Sequence, residues 1–395
     1  MDYGMSPELE KFRMDVRAFV DEHAPAIAPK AGVRSAEDAA EHALIKDWIG
    51  KLFAAGYMGG DWPEQYGGKG NAHSAEEDVV VGEEIARARA PHFAGAGALV
   101  SHALIDFGTE EQRSRYLPGI RSGHETWCQL FSEPSSGSDL ASLRTKAVRT
   151  EDGGFRVTGQ KVWTTNGHWA EYGYLLARTD PDAPKHKGIS AFVVDMRLPG
   201  VEVRPLREMT GTSDFNEVFL DNVELPADAL IGELNKGWTI ANSSLGHERS
   251  GVATSVVRLR QGVDALKDLA KNVEKNGRPA IEDGAVQETL GRFTAEVEAL
   301  SALVYANISR WSRGTERPQD APMAKLMFSE LGVELARFAL ELSGEAGILV
   351  EGDSGAIDHG RWQDEFLYAR AFTIAGGSSE IMRNIIAERG LKMPR

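Results

Sequence analysis

The chain has 395 residues, room for two or three domains and a substantial buried core. Its 44 Lys+Arg against 59 Asp+Glu leave a net charge of -15 with no long basic run, which argues against nucleic acid and an anionic membrane surface as partners. A single cysteine excludes an internal disulfide, the Met1 end lacks a charged-then-apolar signal, and no apolar run nears the roughly 20 residues of a membrane helix, so a soluble protein of the reducing cytoplasm is expected.

Residues 1–125 read as a helical domain. Ser6 and Pro7 suit an N-cap and first helical position, and Leu9, Phe12, Val16, Phe19 and Val20 follow at helical spacing. Further apolar segments run from Leu44 to Ala55, Val79 to Ala88 and Ala98 to Phe107, while "GDWPEQYGGKGN" is too rich in Gly, Pro and polar residues to be anything but an ordered loop. Over 126–234 the pattern shortens to β-type runs, "ETWCQLF", "GFRVTG", "YGYLLARTD", "GISAFVVDM", "VEVRPL" and "NEVFLDNVEL", separated by turn residues. Long helical periods return over 235–395, with breaks near "KNGRP", "RGTERP" and "EGDSG".

Four stretches are candidates for chemistry. In "GWTIANSSLGHERSGVATSVVRLR", Trp238, Ala241, Leu245, Val252, Val256 and Leu259 form one stripe, and Glu248 stands in its gap between 245 and 252. Three readings fit: the helix rotates there, Glu248 pairs with a buried cation, or it is a general acid or base whose pKa burial raises towards neutrality. Arg249, about 100° further round the helix, points elsewhere. "FSEPSSGSDL" follows a strand with serines and N–H groups that suit a polar ligand or an ordinary surface turn. "QKVWTTNGHW" places Trp163 and Thr165 two apart on a strand, on one face, which suits either a planar cofactor or a core tryptophan. "RAFTIAGGSSEIMRNIIAERG" stops an apolar segment at Gly376-Gly377 and restarts a helix at Ile381, like a joint. No dinucleotide or P-loop glycine motif and no metal-ligand spacing occurs, so no metal is expected. Cys128, inside a strand, reads as a buried small hydrophobe.

"WPEQYGG", "QLFSEPSSGSDLASLRT", "VTGQKVWTTNG", "NEVFLDNVELP", "NKGW" and "AGGSSEIMRNIIAERG" together, in order and over nearly the whole chain, resemble the acyl-CoA dehydrogenase family. The resemblance implies an α+β protein: an N-terminal helical domain, a central β-barrel-like domain and a C-terminal four-helix bundle, with FAD as cofactor. It implies Phe131, Ser132, Trp163 and Thr165 around the flavin ring and Gly137 and Ser138 near flavin and acyl-CoA. Gly344 in the reduced loop "SGEAGI", Gly377, Ser378 and Glu380 are the remaining cofactor positions it carries over. Many members have the α-proton base at the position of Gly376. A minority place it in a Glu-Arg pair on the first long C-terminal helix, and "GHERSG" matches them, with Glu248 as base and Arg249 as supporting arginine. Gly376 keeps the N–H that, with a flavin ribityl hydroxyl, holds the thioester oxygen. The implied reaction is dehydrogenation of an acyl-CoA to its trans-2-enoyl-CoA, with an electron-transfer flavoprotein as acceptor. The tract "AKNVEKNGRPAIEDG" lacks the Arg and Phe that usually reach a neighbouring subunit's FAD. A homo-oligomer, or a heterotetramer with a paralogous subunit in the branch acting on dicarboxylic, sterol-derived or otherwise unusual acyl-CoAs, is the implied assembly. The alternatives are a non-catalytic partner subunit, an acyl-CoA oxidase and a flavin monooxygenase on the same fold.

Overall fold

The structure, a computed structural model, describes residues 6–28, 30–32, 34–70, 74–91, 96–246 and 251–394. Five helices come first: α1 (Pro7–His23), α2 (Ala39–Ala54), α3 (Ala75–Arg87), α4 (Ala96–Phe107) and α5 (Glu110–Arg121). Pro7 opens α1 because its missing N–H is not needed there, and the Ser6 hydroxyl accepts from Leu9 N at 3.2 Å. Val16 and Val20 of α1 pack with Trp48 and Leu52 of α2 and Ile85 of α3 in one core. Buried Glu84 of α3 accepts from Arg13 and Arg17 of α1 and from Arg87, which closes the polar side of the same packing. Glu64–Tyr66, in the loop between α2 and α3, forms a 3-10 turn.

Eight strands form the central sheet: β1 (Trp127–Leu130), β2 (Lys146–Arg149), β3 (Phe155–Lys161), β4 (Tyr172–Arg178), β5 (Ile189–Asp195), β6 (Val201–Leu206), β7 (Phe215–Leu225) and β8 (Leu230–Ile231). Their order is β6-β7-β3-β2-β4-β5-β8, with β1 and β2 lying parallel along successive parts of β4. A register shift between Val157 and Gly159 bends β3 against β7, where a side chain at 159 would collide with Thr145. Gly159 therefore allows the close approach that lets the sheet curl. β2 and β8 are too short to show an alternating pattern, and the sequence reading does not contain them.

Helices return with α6 (Gly237–Gly246), α7 (Gly251–Asn272), α8 (Gly284–Trp311), α9 (Asp320–Ser343), α10 (Arg361–Ile374) and the short α11 (Ser379–Ile385). Leu259, Leu266, Phe293, Leu300, Leu335 and Trp362 share the core of this bundle. The stripe read across 237–260 needs correction at Leu245, which is 39% exposed, while Ile240 and Ser244 are buried. The buried face of α6 turns towards Ile240, Ala241 and Ser244 because it packs on the α4 side of the sheet core. Three layers result: helices, a curled sheet, and a bundle that returns to both. Among the described residues no helix is long and apolar enough to cross a membrane.

Candidate active site

The first wall of the site grows from the end of β1. Phe131 is buried edge-on to Tyr174 of β4, ring centres 5.0 Å apart, and the Tyr174 hydroxyl lies 3.4 Å from Ser244 Oγ on α6. Val162 N donates to Ser132 O at 2.9 Å, so the Phe131-Ser132 segment and the tract after β3 lie side by side. Below them Lys161, fully buried, donates to Phe131 O at 3.0 Å and Glu133 Oε1 at 2.8 Å. Glu133 also accepts the N–H groups of Arg144 and Thr145. Burial would raise the Glu133 carboxyl, but the Lys161 ammonium and these donors hold it below its ordinary value. Burial pushes Lys161 down to about 8 against the pull of Glu133. Strand alternation puts Phe155, Val157, Gly159 and Lys161 on one face, so this inward lysine is legible in the sequence, although the reading above does not single it out.

Beyond Glu133 a tight turn pairs Glu133 and Ser136 through two 3.0 Å backbone hydrogen bonds. Gly137 and Ser138 stand exposed just after it, and a Cβ on Gly137 would meet nothing within 4 Å. Cys128, behind this wall, is wholly buried beside Met196, and burial pushes its thiol up, so no thiolate nucleophile forms there.

Trp163 and Thr165 are not on a strand. β3 stops at Lys161, and Thr164 bonds through both backbone groups to Asn216 (3.1 and 3.0 Å), while Trp163 and Asn166 take left-handed backbone angles, φ 59° each. That conformation is uncommon for a tryptophan and marks a constrained position. It turns the indole outward: Trp163 is 60% exposed, held edge-on by Phe215 at 5.9 Å, and Thr165 is half-buried. His168 meets Asn216 Oδ1 at 3.1 Å and Trp169 stacks on His42 at 4.7 Å, so these two serve the loop and the N-terminal domain contact.

The second candidate tract is the joint between α10 and α11. Gly376 (φ 65°) and Gly377 (φ 96°) both have angles that favour glycine, and a Cβ on Gly376 would meet nothing within 4 Å. Lys325 of α9 donates to Gly377 O at 2.7 Å and fixes the joint. Burial lowers the Lys325 pKa, opposed by Glu330 and Glu380. Ser378 caps α11, accepting from Ile381 N at 3.4 Å, and Glu380 is exposed beside it. Its own N–H and the Ser378 hydroxyl hold the Glu380 carboxyl below its ordinary value. The Ser379 hydroxyl is buried and, among the described residues, has no partner.

Glu248 and Arg249 lie outside the described residues. Gly344 (φ 55°) ends α9, 19 residues after Lys325, which puts it about 28 Å from the joint at 1.5 Å per residue. The structure thus brings Phe131 and Ser132 alongside Trp163, and keeps Gly376, Gly377 and Ser378 in one joint, but Gly344 belongs to another end of the bundle.

Models of the N-terminal, middle and C-terminal domains of acyl-CoA dehydrogenase match residues 6–124, 128–223 and 235–391. The chain belongs to the acyl-CoA dehydrogenase family, and its three-domain fold is that family's. It is 41% identical to acyl-CoA dehydrogenase FadE34 of Mycobacterium tuberculosis, over 87% of this chain but 46% of that protein, so it spans about half of that relative's length. A structure of the Tcur3481-Tcur3483 steroid ACAD superposes with a TM-score of 0.87 at 30% identity, covering 100% of both chains. The ChsE4-ChsE5 complex from Mycobacterium tuberculosis gives 0.85 at 29%, again over 100% of both.

Proposed function

We propose that the protein dehydrogenates an acyl-CoA thioester at its α,β bond with FAD, to give the trans-2-enoyl-CoA. The observation that carries this reading is the outward Trp163 face, held by a left-handed loop, together with the open two-glycine joint at 376–377. The residues fit a flavin: a wide exposed ring, an open turn at Gly137-Ser138, and buried hydroxyls of Thr164 and Ser379 without partners among the described residues. FAD, when bound, supplies the acceptor for the hydride that leaves the β-carbon. Trp163 would pack against its ring, and Ser132 and Thr165 would offer donors to its polar edge. Glu248 would take the α-proton, supported by Arg249, and the Gly376 N–H would hold the thioester oxygen as it gains charge.

The steroid ACAD neighbour favours a sterol-derived acyl group, and an electron-transfer flavoprotein is the proposed acceptor. Two features support a partner subunit. The ChsE4-ChsE5 neighbour is a complex of two chains, and this chain covers only half of FadE34. Gly344 and its loop, 343–348, would then serve a site across the interface, which its distance from the 376 joint agrees with.

The test is anaerobic titration of the purified protein, alone and with its paralogous subunit, by a panel of straight-chain, branched and sterol side-chain acyl-CoAs. Bleaching of the flavin band by at least one thioester is expected. A flavin-loaded protein that no acyl-CoA reduces would sink the reading, and a chain that stays colourless yet activates its partner would favour the non-catalytic subunit.

A further inference from the structure

The Trp163 loop and the Gly376 joint belong to different domains, and one side chain reaches the supports of both. The side chain of Arg34, in the segment before α2, is 6% exposed. Its Nη1 donates to Asp214 Oδ2 at 2.9 Å and to the hydroxyls of Thr210 and Thr212 at 3.2 and 2.9 Å. Its Nη2 donates to Asp364 of α10, and its guanidinium lies over the Tyr368 ring of the same helix at 4.5 Å. Gly32 is pressed against that ring so closely that a Cβ would overlap it.

Asp214 carries the constraint onward. Its Oδ1 accepts from Ser35 N at 2.7 Å, and its carbonyl accepts from Asn166 N and the Ser35 hydroxyl at 3.3 and 3.2 Å. Ser35 Oγ is also 2.6 Å from Asn166 Oδ1, and the next residue, Phe215, is the ring that holds Trp163 edge-on. On the other side α10 ends at Ile374, two residues before Gly376. A buried arginine with a planar fork is suited to such a junction, because its donors leave in fixed directions, whereas lysine has one rotating point charge.

We propose that Arg34 is a positioning residue: it fixes the Trp163 loop and the Gly376 joint relative to each other, and so sets the slot for flavin and thioester. The proposal rests on the functional reading above. A displacement near 1 Å is enough to lower a rate about 100-fold, so the slot is worth holding from both sides.

The experiment compares Arg34→Lys with Asp364→Asn, which weakens the α10 limb at its bonds to Arg34 and Ala31 N, and with Arg13→Lys. The last loosens a comparable buried pair, Arg13 to Glu84 between α1 and α3, elements that carry neither the Trp163 loop nor the 376 joint. In the flavin-free proteins, amide exchange of the 162–168 segment is read by mass spectrometry. In the flavin-loaded proteins, the rate of flavin reduction and the acyl-CoA dissociation constant are read by stopped flow. Arg34→Lys is expected to speed exchange at 162–168 and to lower the reduction rate about 10- to 100-fold, with the dissociation constant changed less than about threefold. Asp364→Asn should lower the rate while leaving exchange at 162–168 near parental. Arg13→Lys should lower thermal stability and leave rate and exchange in place. If Arg34→Lys leaves exchange and rate unchanged, or lowers the rate only in step with lost stability as Arg13→Lys does, the proposal is overturned while the functional reading stands. A parent chain that takes up no FAD, alone or with a partner, overturns that reading and the proposal with it.

Discussion

At the scale of single residues, the proposed mechanism gives the α-proton to Glu248 and the thioester oxygen to the Gly376 N–H. Glu248→Gln keeps the shape and removes the basicity, so substrate should bind and flavin reduction should fall about 10²- to 10⁴-fold, roughly 3 to 5 kcal/mol of barrier. A rate close to the parent's in stopped flow would remove Glu248 from the mechanism. Gly376 offers the converse experiment. A Cβ there has open space, so the obstacle to a carboxylate at 376 is the backbone, held at φ 65°, and not crowding. The strain costs about 1 to 3 kcal/mol. Gly376→Glu in the Glu248→Gln background is expected to restore part of the substrate-driven reduction. Glutamate at both positions should do no better than the parent, because two carboxylates near one carbon raise each other's apparent pKa. No recovery in a double mutant that binds both FAD and acyl-CoA would mean that the joint does not face the α-carbon.

At the scale of elements, buried charges decide how helices and strands meet. Glu84 on α3 is 1% exposed and bound by Arg13, Arg17 and Arg87. Burial alone would raise its carboxyl, but the guanidinium groups of Arg17 and Arg87 outweigh it and hold the pKa at about 2, against 4.5 for the free side chain. The folded state therefore binds this proton less readily than the unfolded state. Its contribution is complete above about pH 5 and is lost as pH falls towards 2. Glu84→Gln should cost roughly 2 to 3 kcal/mol at neutral pH and flatten the acid limb of the stability curve between pH 5 and 2. Chemical denaturation across that range measures both; a variant as acid-sensitive as the parent would place the acid transition elsewhere. Strand patterns were legible because β4, β5 and β7 are long, but the end of β3 was not. Nothing in "KVWTTN" signals that Thr164 pairs with Asn216 while Trp163 turns into a left-handed angle.

At the scale of the molecule, the proposed cofactor positions are spread over the two ends of α9. Gly344 sits at the far end of α9 from the 376 joint, and Ile348 and Val350 beside it are 77% and 45% exposed. An exposed apolar edge is the kind of surface that a second subunit covers. The chain expressed alone is expected to lose FAD on dilution or gel filtration, and a paralogous subunit should restore occupancy. Visible absorbance against protein concentration across the eluted peak decides it: full, tightly held flavin in a single-chain oligomer would show that no partner is required.

Sequence alone determined the order of helical, sheet and helical segments, because apolar spacing and turn residues are local properties that each segment carries in its own letters. It also marked the Gly376-Gly377 joint, since only a break in helical pattern with adjacent glycines is needed to see it. Tertiary structure decided the rest. Leu245 was read as buried and is exposed, because the packing partner of α6 selects the face formed by Ile240, Ala241 and Ser244. Arg34 sits in a loop without period, and its importance arises from Asp214 and Asp364, 180 and 330 positions away in the chain. Such long-range pairs have no local signature: hydrogen-bond geometry between distant segments exists only once the three domains have come together.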